Sequence, residues 1–430
     1  MRSTLSPDFK AQWEEASGSP LRLHDPPRAY AGINLEAVAE PADGAALGRV
    51  LHVLDQHQAP AAILGSGSRS WLGNPLRPTR IGVSTLQLSG IDEFDEADGV
   101  VRVGVGTPLD KLAEKTARSG WWLPIDSPGR GGTVGGALAT ALCGPRRRGF
   151  GPVRDAVLGL DTVLADGARV RCGARVVKNV TGYDMAKLYV GSLGTLGVME
   201  RAWLRLRAAP ETALVFQASL EGAVLADALA VARRATTRAI TVVDESLISV
   251  GAPRLGRPPA PGKRHRMVAE FAGDGPAVNQ DANWLADELG AEPAPGDSME
   301  SLRDLQTFEF PIGVRVRFHT RPSQADQART LLERGGARCL VCPEPSVLTA
   351  WFEAGLDEGE DPWWLDQVFA VIDDVRAHAE AEAIIESLPE WARGRRDAFG
   401  GSPVLGLMRE LKERFDPNGI LNPGRFVGRL

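Results

Sequence analysis

Apolar residues at Leu47, Val50, Leu51 and Leu54 recur at i, i+3, i+4 and i+7, and Asp43 stands where an N-cap belongs. Together they predict a helix opening after residue 43. The apolar run 61–64 predicts a buried strand that leads directly into Gly65-Ser66-Gly67-Ser68-Arg69-Ser70. Val101, Val103 and Val105 alternate with Arg102, Gly104 and Gly106, as in a half-buried strand. Thr107-Pro108-Leu109-Asp110 then predicts a helix, with Thr107 as its cap and Pro108 at its first position. Stretches 157–165 and 169–171 flank Asp166-Gly167 and predict a hairpin; 198–206 reads as a further strand, and Pro210 marks a boundary. Residues 1–30 are polar and Pro-broken, an N-terminal arm with one short helix near 9–16.

Beyond that boundary the pattern changes. Expected elements are a strand over 213–218, a helix over 222–234, strands over 240–249 and 266–271, and a helix over 277–289. A similar order follows: strand 312–319, helix 324–334, strands 337–341 and 346–352, and a helix over 371–387. Two β-α-β-β-α passes predict one antiparallel sheet with helices on one face, an α+β layer. The intervals 251–262 and 292–297 read as Pro/Gly-rich loops. The tail 404–415 is amphipathic through Val404, Leu407, Met408, Leu411 and Phe415, and Asp416-Pro417-Asn418-Gly419 ends it in a turn. The domains expected are 31–210, 211–395, and a segment 396–430 that packs back on the first.

Composition narrows the function class. With 49 basic and 55 acidic residues the 430-residue chain has a net charge of −6 and no extended basic patch, which argues against nucleic acid as a partner. No apolar run approaches the length of a membrane-spanning helix. No apolar leader follows Met1, and four Cys do not make a disulfide framework, so a cytoplasmic location is expected.

Glycine placement carries the chemistry. The loop after 61–64 is not a Rossmann fingerprint: Ser70 holds the third glycine position, and Trp71-Leu72-Gly73-Asn74-Pro75 with Pro78 cannot open a helix. It is either an ordinary turn or a nest of backbone N–H groups, three hydroxyls and Arg69 suited to an anion. Eight of the 25 residues from 127 to 151 are Gly. Gly131-Gly132-Thr133-Val134-Gly135-Gly136, followed by Ala137, Ala139, Thr140 and Ala141, offers a surface nearly free of side chains. It suits either a flat ring lying on backbone or a tight crossover between strands.

The set of Gly65–Ser70, Ser127–Gly136, Gly144–Gly151, Lys178-Asn179-Val180-Thr181-Gly182-Tyr183-Asp184, 191–198 and the terminal 415–424 resembles the vanillyl-alcohol-oxidase/PCMH family of FAD proteins. Gly144-Pro145-Arg146-Arg147, 154–159 and 176–179 resemble in particular the FAD-binding subunits of bacterial glycolate oxidases. The resemblance covers about 30–210 and 400–430; 211–395 matches in position and element order only. It implies an α+β fold: a two-subdomain FAD-binding domain, a cap with an antiparallel sheet, and a returning tail. It also implies that Gly65, Ser66, Gly67, Ser68, Arg69 and Ser70 hold the pyrophosphate. Ser127, Pro128, Thr133, Gly135 and Gly136 would line the ring and ribityl chain, and Ala139, Cys143, Gly144 and Gly151 would approach the cofactor. Gly197 and Val198 would lie along the adenosine half, with Asn422 reaching back from the tail. Covalent members use His or Cys near the flavin; Arg69 and Ser70 in the loop imply noncovalent FAD here. The implied partners are a sister FAD subunit, an iron–sulfur subunit and a small 2-hydroxy acid substrate. Attachment at the inner membrane would come through those partners alone.

Dehydrogenating a hydroxy acid needs a base for the hydroxyl proton and a cation for the carboxylate. Among six His, His319 stands out. Strand alternation in Val314-Arg315-Val316-Arg317-Phe318-His319 puts Arg315, Arg317 and His319 on one face, either a solvated outer face or a carboxylate grip with a base. In the family this cap strand faces the flavin, which nominates Arg317 and His319 as catalytic. Relatives that use a divalent metal carry a His-containing Gly-Asp-Gly-Asn-Leu-His-like segment. None occurs here, so no metal is expected and independent catalysis is in question. Cys339-Leu340-Val341-Cys342 reads as strand core rather than a metal pair. Lys178 and Tyr183 read as part of a supporting turn, and Trp363-Trp364 as either partner surface or core. The expected function is an FAD subunit oxidising a small 2-hydroxy acid. The alternatives are a noncatalytic relay or scaffold subunit and a stand-alone alditol or lactone oxidase.

Overall fold

The structure, a computed structural model, describes residues 7–18, 23–175, 184–222, 224–255, 264–355 and 361–430, with the backbone alone for 23–29 and 253. The 178–183 motif and most of the loop after 255 lie outside the described residues.

Two sheets build the first domain. A four-stranded sheet runs Leu23–Tyr30, Ile33–Ala39, Ile81–Ser84, Ala61–Leu64, its last three strands parallel. A five-stranded antiparallel sheet runs Ile91–Asp95, Val100–Gly104, Val198–Arg205, Val157–Val163, Arg169–Gly173. Helices Gly44–Gln56, Leu109–Ala117 and Val134–Thr140 share one core with both sheets. Asp43 caps the first of these by accepting from the Ala46 N–H at 2.8 Å. The Asp166-Gly167 hairpin forms as expected. Thr107 does not cap: the helix starts after Pro108, and the Thr107 hydroxyl accepts from Gly90 N–H at 2.9 Å instead. The arm is structured as well. Helix Pro7–Ser17 seats Phe9 and Trp13 in the core, and Leu23–Tyr30 joins the sheet as an edge strand.

The cap is an eight-stranded antiparallel sheet. Its order is Glu292–Pro293, Thr212–Leu220, His265–Gly273, Thr237–Asp244, Arg338–Cys342, Val347–Glu353, Gly313–His319, Glu382–Ser387. The two passes mirror each other about a central pair joined at Val242↔Val341 and Val243↔Leu340. Four helices, Val224–Ala232, Gly275–Leu289, Ala325–Arg334 and Pro362–His378, cover one face and pack on Val314, Val316 and Phe318. Arg315, Arg317 and His319 therefore point to the other face, toward the first domain.

Several expected elements shift. The strand placed over 240–249 ends at Asp244, whose carboxylate accepts from Ser246 N–H and starts helix Glu245–Gly251. The 292–297 loop holds a two-residue strand and leads into helix Ser298–Leu305. The helix placed over 371–387 instead opens at Pro362, where Asp361 accepts from the N–H groups of Trp363 and Trp364. It stops at His378, and Glu382–Ser387 is a strand. Trp364 packs on the core, whereas Trp363 is 71% exposed. Cys339 and Cys342 are free and buried in one strand, in core clusters on opposite faces of the sheet.

The tail returns, but not by burying an apolar stripe. In helix Leu405–Phe415 the one buried residue is Lys412, whose ammonium pairs with Asp416 and donates to the carbonyls of Thr195 (2.8 Å) and Leu421 (3.0 Å). Val404 and Leu407 stay exposed.

Candidate functional site

A cleft opens where the tail, the parallel sheet and the glycine-rich segments meet. Strand Ala61–Leu64 delivers the chain into Gly65–Ser70, where Gly67 takes φ +79° and Ser70 N–H closes a turn on Gly67 C=O at 3.1 Å. No helix follows. The second wall is Val134–Thr140, capped by the Thr133 hydroxyl, which accepts from Gly136 N–H at 3.2 Å. A Cβ on Gly65 would stand 2.8 Å from that hydroxyl, so the two segments abut. Gly194, Gly197 and Val198 form the third wall.

Asn422 is the keystone of the tail. Ile63 N–H donates to its Oδ1 at 2.8 Å, and its Nδ2 donates to Leu193 C=O at 2.7 Å, tying two walls together. Ala61 N–H and Asn422 N–H bond across to Ile420 C=O (2.7 Å) and Ala61 C=O (3.0 Å), which extends the sheet edge with tail backbone.

Of the expected cofactor residues, Gly65, Ser66, Gly67, Ser68, Arg69, Ser70, Gly135, Gly136, Ala139, Gly197, Val198 and Asn422 line this cleft. Thr133 stands behind it as the cap. Pro128 touches it through its carbonyl, which accepts from Arg69 at 3.3 Å. Ser127, Cys143, Gly144 and Gly151 do not line it. They lie along the segment that faces the cap domain, where Gly129 N–H reaches Arg303 C=O (2.8 Å) and Arg146 makes a two-pronged pair with Glu270 (2.8 and 2.6 Å). Ser127 Oγ is buried with no hydrogen-bond partner among the described residues. Its neighbour Asp126 is fully enclosed, and burial raises the carboxyl's pKa while Arg146 and Arg303 pull it back.

The charge of the cleft is one-sided. Its described lining holds two guanidinium groups, Arg69 and Arg425, and no carboxylate. Arg69 is 7% exposed, its Nε has no partner, and burial brings its pKa down to about 10. A Cβ on Gly132, itself at φ +91°, would come within 2.1 Å of Arg69 Nη1, so glycine there is what admits the guanidinium. A buried cation without a carboxylate is costly unless an anion joins it. These residues fit the diphosphate of a dinucleotide, and no His or Cys lines the cleft.

On the cap side, Arg315 and Arg317 are buried and both pair with Glu386, at 3.0 and 2.8 Å. Arg315 also stacks over Trp71, 4.4 Å from the ring centre, just past the Gly65–Ser70 loop. Arg317 and His319 do not line the cleft itself. They share a neighbourhood with Cys143 and Arg147. Burial, then Arg317 and Arg147, bring His319 to a pKa of about 4, and the same two cations oppose the upward push of burial on the Cys143 thiol. Sequence reasoning missed Glu386, because its strand was read as helix, and Arg425, whose motif was assigned through Asn422 alone. It also gave no role to Arg147, which it read only as part of the Gly144–Arg147 motif.

Residues 35–173 match the FAD binding domain family, and 398–426 match the C-terminal domain of FAD linked oxidases. The fold is that of PCMH-type FAD oxidases, and the matched segments are those of FAD-dependent oxidoreductases. It is similar to glycolate oxidase subunit GlcE of Escherichia coli K12, at 26% identity over 87% of this chain and 94% of that one. It is also similar to a D-lactate dehydrogenase of Archaeoglobus fulgidus, at 24% identity over 91% of each. Its fold matches 4-ethylphenol oxidase from Gulosibacter chungangensis with TM-score 0.68, at 14% identity over 98% of both chains. Among the described residues no helix is long and apolar enough to cross a membrane.

Proposed function

We propose that this chain is an FAD-binding subunit that takes part in oxidising a small 2-hydroxy acid to the 2-oxo acid, with electrons leaving through a partner. FAD is held without a covalent bond. Gly65–Ser70 and Arg69 would take the diphosphate, the Ser127–Gly136 segment the ring side, Gly197 and Val198 the adenosine side, and Asn422 would close the site. The observation that carries this reading is the acid-free, doubly cationic cleft built on glycine loops. The similarity to a glycolate oxidase subunit and a D-lactate dehydrogenase over nearly their whole lengths supports the substrate class. A sister FAD subunit and an iron–sulfur subunit are the partners this reading implies, in the cytoplasm.

Bound FAD supplies the two-electron acceptor for the substrate's C–H bond. The chain's own groups supply the rest. Arg317 keeps Nε and Nη2 without well-aligned hydrogen-bond acceptors although 3% exposed, which suits it to a substrate carboxylate. His319 is neutral above about pH 4, so its ring can take the hydroxyl proton, as a weaker base than an ordinary imidazole. A second reading, a relay or scaffold subunit, is favoured by Glu386, which already offers Arg315 and Arg317 an internal carboxylate.

Anaerobic bleaching of the flavin by a panel of 2-hydroxy acids and alditols, with and without co-purified partners, tests the proposal. Bleaching by 2-hydroxy acids is expected. Arg317→Ala should then lower kcat/KM roughly a hundredfold, about 3 kcal/mol, at unchanged FAD content. Wild-type turnover by Arg317→Ala in the assembled complex would transfer catalysis to a partner and favour the relay. Bleaching by alditols alone would make the chain an alditol oxidase.

A further inference from the structure

We infer that Arg425, brought in by the returning tail, is the second cation of the cleft and, with Arg69, neutralises the cofactor's diphosphate; this rests on the FAD reading above. Arg425 is 6% exposed, and among the described residues no carboxylate lies within ion-pair distance of it. Its guanidinium donates to Ser70 C=O, the last residue of the glycine loop, and to Asn74 C=O at 3.4 Å. The backbone around it is fitted as closely: a Cβ on Gly73 would fall 2.8 Å from Arg425 C=O and 3.2 Å from its Nε.

Carbonyls satisfy hydrogen-bond donors but do not cancel a charge, so both buried guanidinium groups keep theirs. The lining thus sums to two positive charges with no acid to offset them, against the about two negative charges of a diphosphate. Arg69 approaches from the loop and Arg425 from the tail. Cofactor retention is in this way coupled to docking of the last residues of the chain, which Asn422 fixes on the same strand edge.

The test follows FAD release from the purified holoprotein by recovery of flavin fluorescence, for wild type, Arg425→Gln and Arg425→Lys. Charge neutralisation predicts release at least tenfold faster for Arg425→Gln, and within about threefold of wild type for Arg425→Lys, which keeps the charge but loses the two-carbonyl fork. Equal acceleration in both variants means that Arg425 only braces the loop, and overturns the inference; so does wild-type release by Arg425→Gln. Should Arg425→Gln not accumulate folded, Arg425→Lys decides alone, and release more than tenfold faster overturns it. A wild-type protein that neither carries nor takes up FAD fails at the earlier step, the FAD reading itself.

Discussion

His319 offers a test whose main readout needs no substrate. It ends strand Gly313–His319, opposite Val347 on one side and the exposed Glu382 on the other, with Arg317 and Arg147 close by. Burial and the two cations hold its folded pKa at about 4, against an ordinary imidazole near 6.5. Between those values the unfolded chain binds the proton and the folded chain does not. Stability is therefore full above pH 6.5 and is lost as the pH falls toward and through 4. At about 1.36 kcal/mol per tenfold in proton affinity, the whole window amounts to roughly 3 kcal/mol. Urea unfolding of the FAD-loaded protein from pH 7.5 to 4, compared with His319→Gln, isolates this contribution, since carboxylate titration is common to both. Wild type should lose about 3 kcal/mol more than the variant across that range. Its kcat/KM profile should show no inflection near 6.5. Parallel stability curves, or an activity step at 6.5, would refute a half-buried imidazole held neutral.

Two further outcomes follow from the geometry. Gly132→Ala should strip FAD from a folded protein, because its Cβ would displace Arg69. Gly67→Ala, with nothing nearer than 3.9 Å, should lose only about 1–2 kcal/mol of stability to backbone strain and keep its flavin; the flavin absorbance-to-protein ratio reads both. Lys412→Met leaves the fully buried Asp416 carboxylate with only the N–H groups of Ile420 and Leu421, and should cost about 3 kcal/mol in thermal or urea unfolding. Leu407→Ser on the same helix should change stability by no more than about 0.5 kcal/mol.

Much of the fold was legible because its signals are local. The Asp43 cap, the alternation of Val101 to Val105 and the Asp166-Gly167 turn each sit within a dozen residues, and the mirrored cap passes are built from such signals element by element. The failures occurred where two local signals compete. Asp244-Glu245-Ser246 continues an apolar run yet carries a helix cap, and the cap prevails once its carboxylate binds Ser246 N–H. Ala379 to Ser387 has helix-favouring Ala and Glu, but an edge position beside Gly313–His319 makes it a strand, a choice set by tertiary pairing. The tail's apolar periodicity suggested a buried stripe, whereas the one buried residue is a lysine at its edge, four positions after Met408 and three before Phe415, a residue type that patterning assigns to solvent.

The site divides along the same line. Glycines announce the cleft because backbone that must approach a ligand or a guanidinium excludes side chains, and that constraint is written at each position separately. What balances charge is not written that way. Glu386 is 71 residues from Arg315 and meets it only through strand pairing; Arg425 is 355 residues from Ser70 and reaches it only because the tail returns. Identical residue types serve opposite ends here. Arg315 and Arg317 arrive in the cap with a carboxylate between them, while Arg69 and Arg425 arrive in the cleft with none. A cation left bare in a buried place marks where an anion must enter, and a cation already paired must give up its partner, or share it, to bind one. On the FAD reading the cleft therefore carries its ligand's countercharge in advance. The cap face can take a substrate carboxylate only in competition with Glu386, and the oxidase and relay readings differ in which side of that competition prevails.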